Sequence, residues 1–162
     1  MRTGRLQLMR IERATPADLP AAEQLLAAAG LPLEGAAEAL SRGIFARDGE
    51  RVVGAAGLER YGESGLLRSV VVAPDRRGTG LGRDIVREAE RLARQDGIRD
   101  LYLLTETAVG WFPRLGYEVV DRPVAAAAVG QSIEFTTVCR DTGVAMRRRL
   151  GSPGAGDAAP RG

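Results

Sequence analysis

Val70-Val71-Val72-Ala73-Pro74-Asp75-Arg76-Arg77-Gly78-Thr79-Gly80-Leu81-Gly82-Arg83 is the stretch on which the reading of this chain turns. A β-branched apolar run stops at a proline. Two arginines and three alternating glycines follow, and Asp84 to Ala93 then repeats apolar residues at helical spacing. That order predicts strand, glycine-rich turn and helix N-terminus. Such a turn suits a phosphate, because glycines let backbone N–H groups converge without a Cβ in the way and the helix dipole adds partial positive charge. Arg76, Arg77 and Arg83 bring full charges to the same place.

Three phosphate turns compete. A Walker A loop needs a lysine followed by Ser or Thr, and the chain has no lysine. A dinucleotide fingerprint needs Gly-x-Gly-x-x-Gly, whereas the glycines here alternate as Gly-x-Gly-x-Gly. The pyrophosphate turn of acyl-CoA-dependent N-acetyltransferases, Gln/Arg-x-x-Gly-x-Gly/Ala, fits Arg77 to Gly82. Context agrees. Asp100 to Thr105 supplies a further strand, and Ala108 to Tyr117 supplies a short helix closed by Leu115-Gly116-Tyr117, with Gly116 suited to a left-handed C-cap. On these two motifs the chain resembles the GCN5-related N-acetyltransferase (GNAT) superfamily.

Composition narrows the chemistry. At 162 residues the chain is long enough for one domain with a real core. Net charge is only +2, and Arg and acid interleave at Arg87-Glu88 and Glu90-Arg91, which reads as a solvated helix face rather than a nucleic-acid stripe. With no His and no Lys, neither a histidine base nor a lysine nucleophile is available. A lone Cys139 without histidines predicts no metal site and fits a reducing compartment. No apolar run reaches membrane-spanning length and the first residues lack a signal-peptide core. The expectation is a cytoplasmic protein with neither membrane nor nucleic-acid partner.

Residues 1–8 read as an extension, 9–150 as the N-acetyltransferase domain, and 151–162 (Gly, Pro and Ala with little to bury) as a disordered tail. A strand from Met9 precedes a helix capped by Thr15, with Pro16 at its first position and Gly30 at its stop. Gly35 to Leu40 reads as a second helix. Ile44 to Arg47 and Val52 to Glu59 read as strands joined at Asp48-Gly49, and Tyr61 to Gly65 as the turn before the strand Leu66 to Val72. A final strand falls near Val144 to Arg148. The sequence thus predicts an α/β (α+β) order β-α-α-β-β-β-α-β-α-β, the GNAT arrangement of a mixed, mostly antiparallel sheet with a splayed central pair and helices on both faces.

The resemblance implies acetyl-CoA as co-substrate and a small amine as acceptor. Backbone groups of Val70 and Val72 would pair with the pantetheine arm, and Arg77, Gly78, Thr79, Gly80 and Gly82 would hold the pyrophosphate. An N–H near Val70 or Val71 would polarise the acetyl carbonyl. The family's usual general acid, a Tyr four residues before the helix-closing Gly, is here Phe112, which cannot donate a proton; Tyr102 and Tyr117 are substitutes. Glu59 or Glu106, at strand ends, would serve as base. Arg68, charged inside an apolar strand, either binds an anionic group of the acceptor or pairs with Glu59 or Glu106.

A narrower resemblance, to arsenic-resistance N-acetyltransferases, rests on Gly57 to Gly62, Leu66 to Val70, Leu103 to Thr105 with Thr107-Ala108, Phe112 to Tyr117, and Ser132-Ile133-Glu134-Phe135 leading to Cys139. It implies phosphinothricin-like or arsinothricin-like amino acids as acceptors, Arg68 and Thr105 at the substrate, and by analogy a homodimer. Arg140 and Glu106 depart from that pattern. Competing readings are a non-catalytic acyl-CoA sensor, favoured by Phe112, and a protein or aminoacyl-tRNA acetyltransferase.

Overall fold

A computed structural model describes residues 9–132 and 143–151. The predicted extension (1–8), the tail beyond Gly151, Cys139 and Ile133 to Phe135 lie outside the described residues. The described residues form seven strands: β1 Met9–Arg13, β2 Ile44–Asp48, β3 Arg51–Tyr61, β4 Ser64–Val72, β5 Asp100–Thr105, β6 Glu118–Val119 and β7 Val144–Arg149. The α-helices are α1 Leu19–Ala28, α2 Ala36–Ser41, α3 Leu81–Gln95 and α4 Arg122–Val129. Hydrogen bonding orders the strands β1-β2-β3-β4-β5-β7-β6, antiparallel at β1–β2, β2–β3, β5–β7 and β6–β7 and parallel at β4–β5. The predicted mixed, mostly antiparallel sheet is therefore correct. No helix among the described residues is long and apolar enough to cross a membrane.

The chain resolves into two compact units. One comprises residues up to Leu58 together with Arg68–Ala89; the other comprises Glu59–Leu67 and residues from Glu90 onward. In the first, Ala22 and Leu26 of α1, Ala36 and Leu40 of α2, and Phe45, Val52, Ala55 and Val71 of β2–β4 form one buried cluster. Removing these apolar surfaces from water is the main force holding the helices to the strands. In the second, Leu66, Tyr102, Leu104, Ala125, Val129 and Ala145 form another, which seats α4 on β4, β5 and β7.

Several elements differ from expectation for local reasons. Thr15 does not cap a helix: its hydroxyl donates to Asp18 Oδ2 (2.6 Å) and accepts from buried Arg47 Nη2 (2.9 Å). The chain therefore enters α1 through a 3-10 turn, Pro16–Asp18. The helix expected over Ala108 to Leu115 is reduced to a 3-10 turn, Phe112–Leu115, stopped by left-handed Gly116 (φ 100°) as expected. β6 and α4 were not predicted. α4 carries Val-Ala-Ala-Ala-Ala-Val, which favours helix by propensity but shows no amphipathic period to read.

Candidate active site

The first unit carries the end of β4 and the turn after it. Ala73 N–H donates to Val53 O of β3 (2.8 Å), and a Cβ built on Gly54 would lie 3.1 Å from Val71 O. Val71 and Ala73 thus present their backbone groups to β3. Because successive residues of a strand alternate, Val70 and Val72 present theirs to the opposite edge. Just upstream, Ser69 has φ 57°, the one non-glycine residue with positive φ among the described residues. A left-handed residue inside a strand breaks its regular alternation, as a bulge does. The ladder of β4 with β5 consists of Ser64↔Asp100, Gly65↔Leu101 and Leu66↔Tyr102, whereas β4 itself continues to Val72.

After β4 come the 3-10 turn Pro74–Arg76, left-handed Gly78 (φ 80°) and Gly80 (φ 87°), and then the first residue of α3. A Cβ on Gly78 would touch nothing within 4 Å, and one on Gly80 would meet only the Arg83 guanidinium, at 3.3 Å. Backbone conformation, rather than lack of room, is what demands glycine at both places. Thr79 shapes the turn internally, donating its hydroxyl to Arg76 O (2.6 Å) and accepting the Leu81 N–H (3.4 Å). The first amides of α3 have no acceptor within the helix and sit at its positive end, so the turn fits a pyrophosphate.

The charges around the turn are more committed than the sequence suggested. Arg76 is ion-paired with Asp48 and stands 3.6 Å from Asp75, so it braces the turn rather than facing a ligand. Arg51 grips Asp75 through two 3.0 Å hydrogen bonds, and this pairing draws the Asp75 carboxyl down to about 2. Arg83 lies 3.3 Å from Asp84 at the surface. Arg77 is exposed, donates Nε to Val72 O (3.2 Å), and has no carboxylate partner among the described residues. It is the arginine best placed to meet a phosphate.

Arg68 is 3% exposed in the middle of β4. Its Nη2 donates to the backbone oxygen of Glu34 (2.6 Å) and its Nε to Ser69 Oγ (3.3 Å).

The second unit holds the other predicted residues. Glu59 is half-buried at the end of β3 and accepts the Tyr61 hydroxyl at 2.5 Å. Thr105 is buried, and its Oγ1 accepts the Ala108 N–H (3.0 Å), closing the turn after β5. Glu106 is exposed. Phe112 is buried with its ring edge-on to Trp111 (4.9 Å) and Tyr117 (5.6 Å). Tyr117 donates to Glu90 Oε2 (2.8 Å), whose other oxygen receives Arg148 Nη1 (2.9 Å).

Residues 40–119 match the family model for the acetyltransferase (GNAT) domain. Mouse N-alpha-acetyltransferase 80 is 38% identical over 92 residues, which are 55% of this chain and 29% of that protein. The amino-acid acetyltransferase of Ralstonia nicotianae is 34% identical over 68 residues, 41% of this chain and 15% of that one. The structure of N-acetylglutamate synthase from Neisseria gonorrhoeae, complexed with coenzyme A and N-acetyl-glutamate, superimposes with a TM-score of 0.74 at 20% identity. That superposition covers 88% of this chain and 35% of the synthase. This is a GNAT acetyltransferase fold.

Within the GNAT frame, the first unit gathers Arg68, Val70 to Val72, Arg77, Gly78, Thr79, Gly80 and Gly82 along one strand and its turn, while Glu59, Thr105, Glu106 and Phe112 belong to the second. Two features escaped the sequence reading. Ser69 gave no signal, since nothing local to a serine announces a left-handed strand residue. Glu90 was placed on a solvated face, yet it is 2% exposed. Its position four residues after buried Val86 was the available clue. Tyr117, weighed as a substitute acid, commits its hydroxyl to that carboxylate, and Tyr102 lies in the apolar cluster of the second unit.

Proposed function

We propose that this chain transfers the acetyl group of acetyl-CoA to the amino group of a small acceptor. The observation that carries the reading is the turn from Arg77 to Arg83: two left-handed glycines deliver the chain directly into the N-terminus of α3, beside an exposed arginine. Acetyl-CoA would supply the acetyl group as an activated thioester. Gly78, Thr79, Gly80 and Gly82 would hold its pyrophosphate through backbone amides, with Arg77 adding charge. Val70 and Val72 would pair with the pantetheine amides, because their backbone groups face away from β3.

Of the two oxyanion donors left open by the sequence, the Val70 N–H is the better supported, since Val71 turns toward Gly54 on β3. Such a donor contributes roughly 3 kcal/mol to the transition state. Glu59 is assigned as base over exposed Glu106. It would take the ammonium proton directly or through water, with Tyr61 orienting the carboxylate. Phe112 carries no transferable proton, so as the amide bond forms and the C–S bond of the thioester breaks, coenzyme A would leave as a thiolate that solvent protonates.

Arg68 and Thr105 are each assigned to the acceptor's side of the reaction, Arg68 through the backbone and hydroxyl that its guanidinium holds. An amino-acid-like acceptor of the phosphinothricin or arsinothricin type, serving arsenic resistance, follows from the narrower sequence resemblance and accords with the amino-acid acetyltransferase relative. A second reading, transfer to a peptide N-terminus, is favoured by the mouse relative.

The test is release of free thiol from acetyl-CoA against phosphinothricin, an arsenical amino acid, glutamate and a short peptide. Turnover on the first two supports the amino-acid reading, and turnover confined to the peptide replaces it. Binding of acetyl-CoA without turnover on any amine would leave an acyl-CoA sensor. Failure to bind acetyl-CoA would overturn the whole assignment.

A further inference from the structure

The segment between α1 and α2 is exposed at Leu33, Glu34 and Gly35, while the helices on either side are buried through Leu26, Ala36 and Leu40. Gly35, at φ 73°, reverses the chain into α2. Between its ends this loop is pinned by a long-range bond, the charged hydrogen bond from Arg68 Nη2 to Glu34 O. The same guanidinium holds Ser69 Oγ at the left-handed residue of β4. Hydrogen bonds from ionised donors are about twice as strong as neutral ones, and a planar fork can serve two acceptors in fixed relative geometry.

We propose that Arg68 is a positioning residue that latches the α1–α2 loop to the bulge of β4, so that this loop helps set which acceptors are taken. The inference rests on the acetyltransferase reading above. In that reading Val70, two residues from Arg68, marks the end of the pantetheine arm where the acceptor enters, and a loop tied to Arg68 borders that end. The latch is distinct from an anion clamp. Losing a clamp weakens only acceptors that carry the anion, whereas losing a latch weakens neutral and anionic amines alike.

The experiment compares the intact protein with Arg68→Gln and Arg68→Lys in two readouts. The first is amide hydrogen exchange. In Arg68→Gln, exchange at residues 33–36 should rise about tenfold, as expected when a charge-assisted bond is lost, while Ile85 to Ala93 of α3 stays unchanged. The second is acceptor kinetics with phosphinothricin and with glycinamide. KM for both should rise by a similar factor, and KM for acetyl-CoA should stay within about twofold. Arg68→Lys keeps the charge but cannot span both acceptors, so it should show a partial version of both effects. Glu34→Ala should change neither, because the latch uses the backbone oxygen.

Unchanged exchange at 33–36 in Arg68→Gln would overturn the latch, as would a KM rise confined to phosphinothricin. If no amine is acetylated at all, the function fails, but the exchange readout still decides whether Arg68 holds the loop. If Arg68→Gln does not fold, the Lys variant carries both readouts.

Discussion

Phe112 is buried between Trp111 and Tyr117, and its packing shows why a hydroxyl is dispensable for folding at that place: two edge-on ring contacts hold it without a polar partner. Restoring the hydroxyl should therefore act on chemistry. Phe112→Tyr is expected to raise kcat in the thiol-release assay by at least about tenfold, below the usual range for an added general acid because the site was not built around it. An unchanged kcat would mean that protonation of the leaving group does not limit turnover. Ser69 poses the complementary problem. A left-handed L-residue costs about 1–2 kcal/mol, more for a β-branched side chain. Ser69→Val should lower the urea midpoint by an equivalent of at least ~1 kcal/mol, and Ser69→Gly should be nearly neutral, relief of strain offsetting the lost Arg68 bond. At this scale the sequence revealed the glycines that need positive φ but not the serine, because serine adopts that conformation only under pressure from its neighbours.

The turn between β4 and α3 and the buried carboxylate of α3 show two ways in which elements depend on single residues. Gly80→Ala would force a Cβ into a left-handed position 3.3 Å from the Arg83 guanidinium, a flexible group that can move. The expected result is weaker acetyl-CoA binding in calorimetry, with thermal stability falling only by an equivalent of about 1 kcal/mol. Glu90 ties α3 to Tyr117 and to Arg148 of β7. Replacing it with Gln removes the charge facing Arg148, and the expected loss is about 3 kcal/mol in urea unfolding, the low end for a broken buried pair because Arg148 remains one-third exposed. Tyr117→Phe should cost about 1 kcal/mol. A Glu90→Gln loss no larger than that would show that Arg148 contributes little. The strand–turn–helix element was legible because its determinants lie within a few residues of one another. The carboxylate was not, because Glu90 and Arg148 are 58 residues apart.

Across the whole molecule, pH resolves one of the surface pairings. The Asp75 carboxyl, lowered from 3.8 to about 2 chiefly by its hydrogen bonds to Arg51, favours the folded state when ionised. Its contribution is fully present above the unfolded value of 3.8 and is lost as pH falls through about 2. Arg51→Gln should therefore show a lower urea midpoint than the parent protein at neutral pH, with the gap closing on acidification through that window. The effect should also shrink in high salt, since the pair is exposed. A gap that persists at pH 2 would assign the loss to packing of the Arg51 stem instead.

What the sequence determined by itself was the order of elements from β1 to β5, the final strand β7, the sheet class, and the strand–glycine turn–helix form of the stretch from Val70 to Arg83. Those depend on alternation, helical period and glycine conformation, all properties of near neighbours along the chain. Only the tertiary structure decided which charges remain available. Arg76 belongs to Asp48, 28 residues away, and Arg68 bonds the backbone of Glu34, 34 residues away. The reason is electrostatic: a charge's partner is chosen by distance and burial in the folded chain, and neither is encoded in the residues beside it.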